Sequence, residues 1–332
     1  MTRDLKRGGI PKLQPLPGCD GDEEFIRQID IWRKWIEWEK EDPLVLKDED
    51  LNAYRQRILY VYRHSTMALR FWPQIWFDAA EFCLGNGQDS EADAFLTQGM
   101  EANPESCLLA FRRADRLEEV TPQESGESGL ISRGDAVKQP YNSVLDGLYA
   151  LIQKVLQRGP LAIARIEEQF AALPPDSREA SPEADEDGDA DKEDGEQDAD
   201  ATRPMSRKAL KERAVANVRT GTQTHVRLIS KTITHTWIAV MRAMRRVQGK
   251  GKVGGPIGGM RDVFTSARKR GRLLSDIYIA AAGMEHYCYH DPAASRIFEK
   301  GIKLFPDDEE FALAYVKHLI AIGDITSKCC KC

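Results

Sequence analysis

The sequence predicts an all-α fold in which antiparallel helix pairs stack into a solenoid, and three observations lead there. Apolar residues recur at spacings of three and four along most of the 332 residues. No stretch alternates with period two between hairpin turns, and one aromatic-then-small pattern returns several times along the chain. The periodicity marks helices at 23–40, 48–69, 73–84, 90–101, 105–119, 141–156, 209–247 with a break, 259–269, 275–287, 292–304 and 308–322.

Taken in order, the first helix carries Trp32, Trp35 and Trp38, a spacing of three that reads as one packed helix face rather than a platform for stacking bases. Pro73 opens the third helix, where its missing N–H costs nothing. The stretch TPQESGESGLISRGDAVKQP reads as an insertion. Helical periodicity then resumes in YNSVLDGLYALIQKVL and again in HVRLISKTITHTWIAVMRAMRRV. Between those two lies PPDSREASPEADEDGDADKEDGEQDADATRP, with no aromatic and almost no large aliphatic residue. Such a segment buries too little surface to offset chain entropy, so a disordered acidic loop is expected. The glycines of GKGKVGGPIGG break any helix and predict a flexible connector. The expected organisation is a disordered N-terminal segment (1–22), repeats (23–174), the acidic loop (175–204), repeats again (205–323) and a disordered Cys-rich tail (324–332).

The repeat itself has a grammar. PQIWFDAAEF is followed by EADAFLTQGMEANP, SDIYIAAAGMEHY by AASRIFEKGIKLFP, and THTWIAVMRAM, after the glycine stretch, by MRDVFTSARKRG. Each unit has an aromatic then small residues on its first helix, and a Phe followed by a small residue on its second. Trp76 and Phe95 are 19 residues apart, Tyr278 and Phe298 are 20 apart, and Pro104 and Pro306 follow to end the second helix. From Tyr278 to Ala312, the matching slot of the next helix, is 34 residues, the period of a two-helix tetratricopeptide-like unit. Small residues such as Ala79 and Ala281 let helices lie close, while Trp32, Trp35, Trp76, Phe95, Trp237, Phe264, Tyr278 and Phe298 fill the space between successive pairs. Five units are recognisable, and EEFALAYVKHL opens a sixth.

Composition bounds the function class. With 42% hydrophobic residues the chain has material for a core, and without an apolar run of about 18 residues or an apolar signal-peptide segment it is expected in the cytosol or the nucleus. Seven cysteines, scattered or crowded in the terminal KCCKC, do not space like a secreted disulfide framework. KCCKC also fits a zinc site or prenylation poorly, since one lacks further ligands and the other is disfavoured by the lysine. The net charge of −6 is concentrated: residues 176–200 hold thirteen acidic residues against Arg178 and Lys192, a local −11 that leaves the rest at +5.

No Walker-type loop, HExxH, nucleophile elbow or catalytic Cys or Ser string occurs, so neither an enzyme, a cofactor nor a small-molecule substrate is expected. His286 and His290 are four apart without a third ligand. The basic stretch 203–246, with Arg242, Arg245 and Arg246 near its end, is a candidate contact for RNA or an acidic partner; association with the adjoining acidic loop or a solvated helix face is the plainer reading.

Several strings carry a family resemblance. IWRKWIEWEKEDPL, STMALRFWPQIWFDAAEF and IYIAAAGMEHYCYHDPAASRIFEKGIKLFPDDEEFALAYVKHL, with acidic Glu39, Glu81 and Glu285 near the ends of first helices, resemble the second half of the half-a-TPR (HAT) domain. They look like the Suf-type subunits of cleavage stimulation factor and fungal cleavage factor IA, over about 26–323 apart from the insertions. The resemblance implies a right-handed α–α superhelix acting as a nuclear, non-enzymatic scaffold of pre-mRNA cleavage and polyadenylation. Such a scaffold dimerises through this half, holds other subunits of that machinery, and reaches pre-mRNA through them, without a membrane. Family members carry further repeats before this region, and a last repeat with a Pro-rich tail after it, so a fragment, a divergent paralogue or a truncated gene model is expected. The alternatives are a HAT scaffold of spliceosomal or ribosome-assembly complexes, or a direct RNA binder using residues 203–246.

Overall fold

The computed structural model describes residues 22–122, 126–172 and 207–323, and among these every regular element is helical. The expectations for 1–21, the acidic loop and the Cys-rich tail lie outside the described residues. The helices are α1 (Asp22–Lys40), the short α2 (Leu46–Glu49), α3 (Leu51–Ala68), α4 (Pro73–Gly85), α5 (Asp89–Ala102), α6 (Cys107–Val120), α7 (Glu127–Ala172), α8 (Arg207–Gln248), α9 (Gly259–Arg270), α10 (Asp276–Gly283), α11 (Ala293–Leu304) and α12 (Glu309–Ala321). They form two compact units, one of residues up to Tyr149 together with those from Lys231 on, the other Ala150–Ser230.

In the larger unit, helix starts are set by local chemistry. Asp50 accepts hydrogen bonds from the Asn52 and Ala53 amides, both at 3.0 Å, and Pro73 begins α4. Ser106 caps α6 and Asp308 caps α12, each two residues beyond a proline, Pro104 or Pro306. Tyr62, Ile75, Leu96, Leu109 and Phe311 are among the largest fully buried side chains. The burial of such groups, about 1.5–3 kcal/mol each, holds helices too short to persist alone.

The α4–α5 and α10–α11 pairs repeat with a constant offset fixed by glycine. Twenty-three residues separate Trp76 from Gly99, and Tyr278 from Gly301; seven separate Ala92 from Gly99, and Ala294 from Gly301. A Cβ on Gly99 would lie 2.8 Å from Trp76 Cβ and 3.1 Å from Leu109 Cδ1, and one on Gly301 would lie 2.2 Å from Phe311 Cζ. Backbone therefore meets side chain directly at these two points. In this register the partner of Phe298 is Leu96, fully buried, and Phe95 is one position out of step with the expected equivalence. Matching phenylalanines misread the frame because both faces of α5 next to Gly99 are apolar.

A second recurring device is polar. Buried Glu39 accepts from Arg57 Nε at 3.0 Å and Nη2 at 2.8 Å, and from Trp35 Nε1 at 3.2 Å. Glu81 pairs with Arg112. Glu285, only 2% exposed, accepts from Arg261 Nε at 2.7 Å and Nη2 at 2.9 Å. Each acidic residue near the end of a first helix is thus tied to an arginine of another helix, and a paired guanidinium is what makes a buried carboxylate tolerable.

Four expectations need correction. The 121–140 insertion is helical from Glu127, and α7 passes through Pro140. A proline inside a helix costs about 3 kcal/mol, but Val137, Tyr141, Val144 and Leu145 continue one buried stripe across it, so packing offsets the lost bond. α8 has no break: Gly221 costs only about 1 kcal/mol, no proline intervenes, and the Thr222 hydroxyl donates to the Val218 carbonyl at 2.8 Å. Trp38 is 41% exposed while Trp32 is buried, because steps of three drift round a helix of 3.6 residues per turn. The helix at 275–287 changes at Met284–Cys288 into a π-turn, which contains Glu285.

A further correction concerns the glycine stretch, which is a closed loop rather than a loose connector. Met260 N–H donates to Gly249 C=O at 3.1 Å, Arg261 N–H to Lys250 C=O at 3.2 Å, and Lys252 N–H to Ile257 C=O at 3.1 Å. Gly251 and Gly259 have positive φ, and a Cβ on either would strike the opposite backbone within 2.6 Å. In the smaller unit, the stretches of α7 and α8 run antiparallel: Gly159 approaches Thr222, and Phe170 C=O accepts from Arg207.

Two predictions follow from this packing. Gly99→Ala is expected to lower stability by about 1–3 kcal/mol through overpacking against Trp76, despite a better helix propensity. Gly283→Ala, where a Cβ meets nothing within 4 Å and the backbone is helical, is expected to stabilise by up to about 1 kcal/mol, so thermal melts of the two variants should move in opposite directions. Arg261→Ala is expected to cost about 2–3 kcal/mol, less than for a fully buried pair because Arg261 is about a third exposed, while the double variant Arg261→Ala, Glu285→Gln recovers part of that loss in urea unfolding.

Candidate interaction surface

The repeat residues singled out by sequence are spent inside the packing. Trp32, Trp76, Phe95, Trp237, Phe264, Tyr278 and Phe298 are buried, Ala79 and Ala281 wholly so, and half-buried Trp35 stacks on Trp32 at 5.4 Å. Trp237 Nε1 donates to Tyr149 Oη at 3.3 Å, and Tyr149 donates to Gly271 C=O at 2.8 Å. Trp76 Nε1 and Asn103 Nδ2 both donate to the Arg70 carbonyl, at 2.9 and 3.0 Å. These side chains position helices; what they leave outward is the surface available to a partner.

Part of that surface is apolar. On α12, Leu313 and Ile320 are 55% and 57% exposed on either side of Lys317, and Tyr287 at the π-turn is 74% exposed. Individual exposed leucines are ordinary, but a helix with its inner face on Phe311, Tyr315 and Leu319 and apolar residues outward at seven-residue spacing is two-sided.

Arg246 lies 2.7 Å from Glu118 and 3.7 Å from Asp115, Arg245 donates to Cys288 Sγ at 3.5 Å, and Arg242 is exposed. Arg246, at least, is engaged within the chain.

A cleft of about 480 Å³ opens where α9, α10 and α11 meet the glycine loop. Its acidic members are Glu285 and Asp291. Asp291 Oδ2 takes Lys250 Nζ and, at 3.0 Å, Arg261 Nη2, while Oδ1 accepts from the Ala293 amide at 2.8 Å. The Lys250 hydrogen bond, with the Ala293 amide, pulls the Asp291 carboxyl down to about 2, so it remains charged throughout the neutral range. The loop that delivers Lys250 also sets Val253 on the rim. Sequence reasoning missed this network: the carboxylates were visible, but Lys250 and Arg261 reach them only because the glycine loop closes.

His286 meets buried His318 with ring centroids 4.9 Å apart, rather than His290, and Ser295 Oγ lies 3.0 Å from His318 Nε2. Among the described residues no three His, Cys, Asp or Glu side chains gather as metal ligands, and no helix is long and apolar enough to cross a membrane. Burial raises the Cys83 thiol to about 11, which leaves it unreactive.

Comparison with known proteins places the chain. The family model described as "Suppressor of forked protein (Suf)" matches residues 1–328. The mRNA 3′-end-processing protein rna14 of Aspergillus fumigatus is 54% identical over 325 residues, covering 98% of this chain and 30% of that protein. The proteins of the same name from Emericella nidulans and Neurospora crassa are 50% and 45% identical, again over 98% of this chain. The chain thus spans about 30% of the length of these relatives. A crystal structure titled CstF-77 aligns over 91% of this chain and 52% of its own with 13% identity and a TM-score of 0.43. The match across residues 1–328 establishes that the chain belongs to the suppressor-of-forked (Suf) family.

Proposed function

We propose that this chain is a non-enzymatic scaffold segment of the nuclear pre-mRNA 3′-end cleavage and polyadenylation machinery, holding other subunits of that machinery and a second copy of itself. One observation carries the reading: relatives named as mRNA 3′-end-processing proteins share about half of all residues with it over 98% of its length. The polar interior supports a structural role. Glu39, Glu81 and Glu285 are each consumed by an arginine of another helix, leaving those carboxylates bound rather than poised for proton transfer. Pre-mRNA is reached through partner subunits in this reading, and the Arg246 pairing with Glu118 weighs against a continuous RNA-binding stripe ending in Arg242, Arg245 and Arg246.

Self-association is assigned to the outward face of α12. Purified chain is expected to scatter light as a dimer across a concentration series, and Leu313→Glu with Ile320→Glu, both exposed, to give a monomer with an unchanged helical spectrum. A monomeric parent, or a dimer untouched by the pair, overturns that assignment. For the processing role, excess chain added to an extract competent for 3′ cleavage is expected to reduce cleavage of a test transcript by sequestering partner subunits. Unaltered cleavage, with no processing subunit retained on the immobilised chain, speaks against it.

A further inference from the structure

The cleft between α9, α10 and α11 has a charge balance that the fold does not use. Glu285 is satisfied by Arg261, and Asp291 by Lys250 and Arg261. Three other cations in or on the same cleft, Arg268, Arg296 and Lys300, make no ion pair among the described residues. Arg268 lies with its guanidinium 4.9 Å over the Phe264 ring, and its Nε is shut off from solvent without a hydrogen-bond acceptor. Its charge has no carboxylate partner among the described residues, so an anion entering the cleft meets a guanidinium that is not already neutralised. Arg296 and Lys300 are four apart on α11, so both present from one helix face.

We propose that this cleft is a docking site for an acidic peptide segment of a partner protein, with two or more carboxylates set beside an aliphatic residue. The carboxylates take Arg268, Arg296 and Lys300, and the aliphatic side chain lies against Ile297 and Val253, the latter 50% exposed on the loop. The cleft's chemistry favours peptide over RNA. Its aromatic rings, Phe264 and Tyr278, are already buried, and Arg268 covers the former, so no open ring face remains for a base to stack on. The cations cluster at one place instead of tracking an extended backbone, which suits a short acidic segment better than a phosphodiester chain. This inference needs only the cleft and stands whether or not the chain serves 3′-end processing.

The test uses the full chain and two fluorescein-labelled probes: a twelve-residue peptide of alternating Glu and Asp with a central Leu-Leu pair, and an oligouridylate of equal length. Fluorescence anisotropy at low salt is expected to show peptide binding that weakens with added salt. The triple variant Arg268→Gln, Arg296→Gln, Lys300→Gln is expected to weaken it at least tenfold, while Lys34→Gln, an exposed cation on α1, changes it less than twofold. Because Arg268 also packs on Phe264, the double variant Arg296→Gln, Lys300→Gln, confined to exposed side chains, is measured too and is expected to weaken binding at least threefold. Peptide affinity unmoved in both variants, no peptide binding by the parent, or tighter binding of the oligouridylate that is lost in the same variants, would each overturn the proposal.

Discussion

The arrangement of the larger unit depends on two places where a helix backbone is pressed against a side chain with no Cβ between them. At Gly99 the backbone of α5 rests on Trp76 and Leu109, and at Gly301 that of α11 rests on Phe311. In both, the glycine belongs to the second helix of a pair and the same contact reaches the helix that starts the next pair, Leu109 on α6 or Phe311 on α12. At Gly99 the intra-pair and pair-to-pair distances are therefore set at one point, and at Gly301 the contact fixes the pair-to-pair distance. A glycine in a helix gives up about 1 kcal/mol of propensity, and the close packing it permits must return more than that.

The carboxylate–arginine pairs complement these contacts. An apolar interface between helices tolerates sliding, since one leucine fills a groove much like another, whereas a buried carboxylate accepts only the position in which its guanidinium arrives. Buried Glu39 with Arg57 and buried Glu285 with Arg261 act as register marks in this sense, and the half-exposed Glu81 with Arg112 does so more weakly. Such marks add little net stability over a well-packed apolar pair; their effect is that alternative stackings strand a charge.

Much of this was legible in the sequence, and the reasons for the remainder are specific. Most helix positions followed from apolar spacing, with starts such as Pro73 and Asp308 marked by their own residues, but α7 runs over 127–172 where only 141–156 was expected. The aromatic and alanine positions of the repeat were legible as buried for the same reason. Local rules failed where tertiary packing overruled them: Pro140 was read as punctuation, yet the buried stripe through Val137, Tyr141 and Val144 carries α7 across it. The cleft was hidden because its partners are far apart in sequence; Lys250 reaches Asp291 across 41 positions, and no periodicity encodes that. The Gly99–Gly301 frame was readable, being 23 residues from each aromatic, but the phenylalanines drew attention away from it.

The glycine loop joins these threads. Its sequence has the look of a spacer, and a spacer needs only to be long and pliant. This one instead carries positive-φ glycines at Gly249, Gly251, Gly254 and Gly259, and backbone bonds that tie residue 249 to 260 and 250 to 261. Closing it places Lys250 on Asp291 and Val253 at the cleft rim in one step. Arg261, the first residue past the crossing, is held by its own amide to Lys250 and by its side chain to Glu285. The two carboxylates of the cleft are thereby neutralised from a single short segment, and Arg268, one helical turn or two further along α9, is left with its charge unmatched. α9 and α11 carry more basic than acidic residues, and closure of the loop cancels the two carboxylates that face them, so the positive character of the cleft is coupled to the closure of the loop itself.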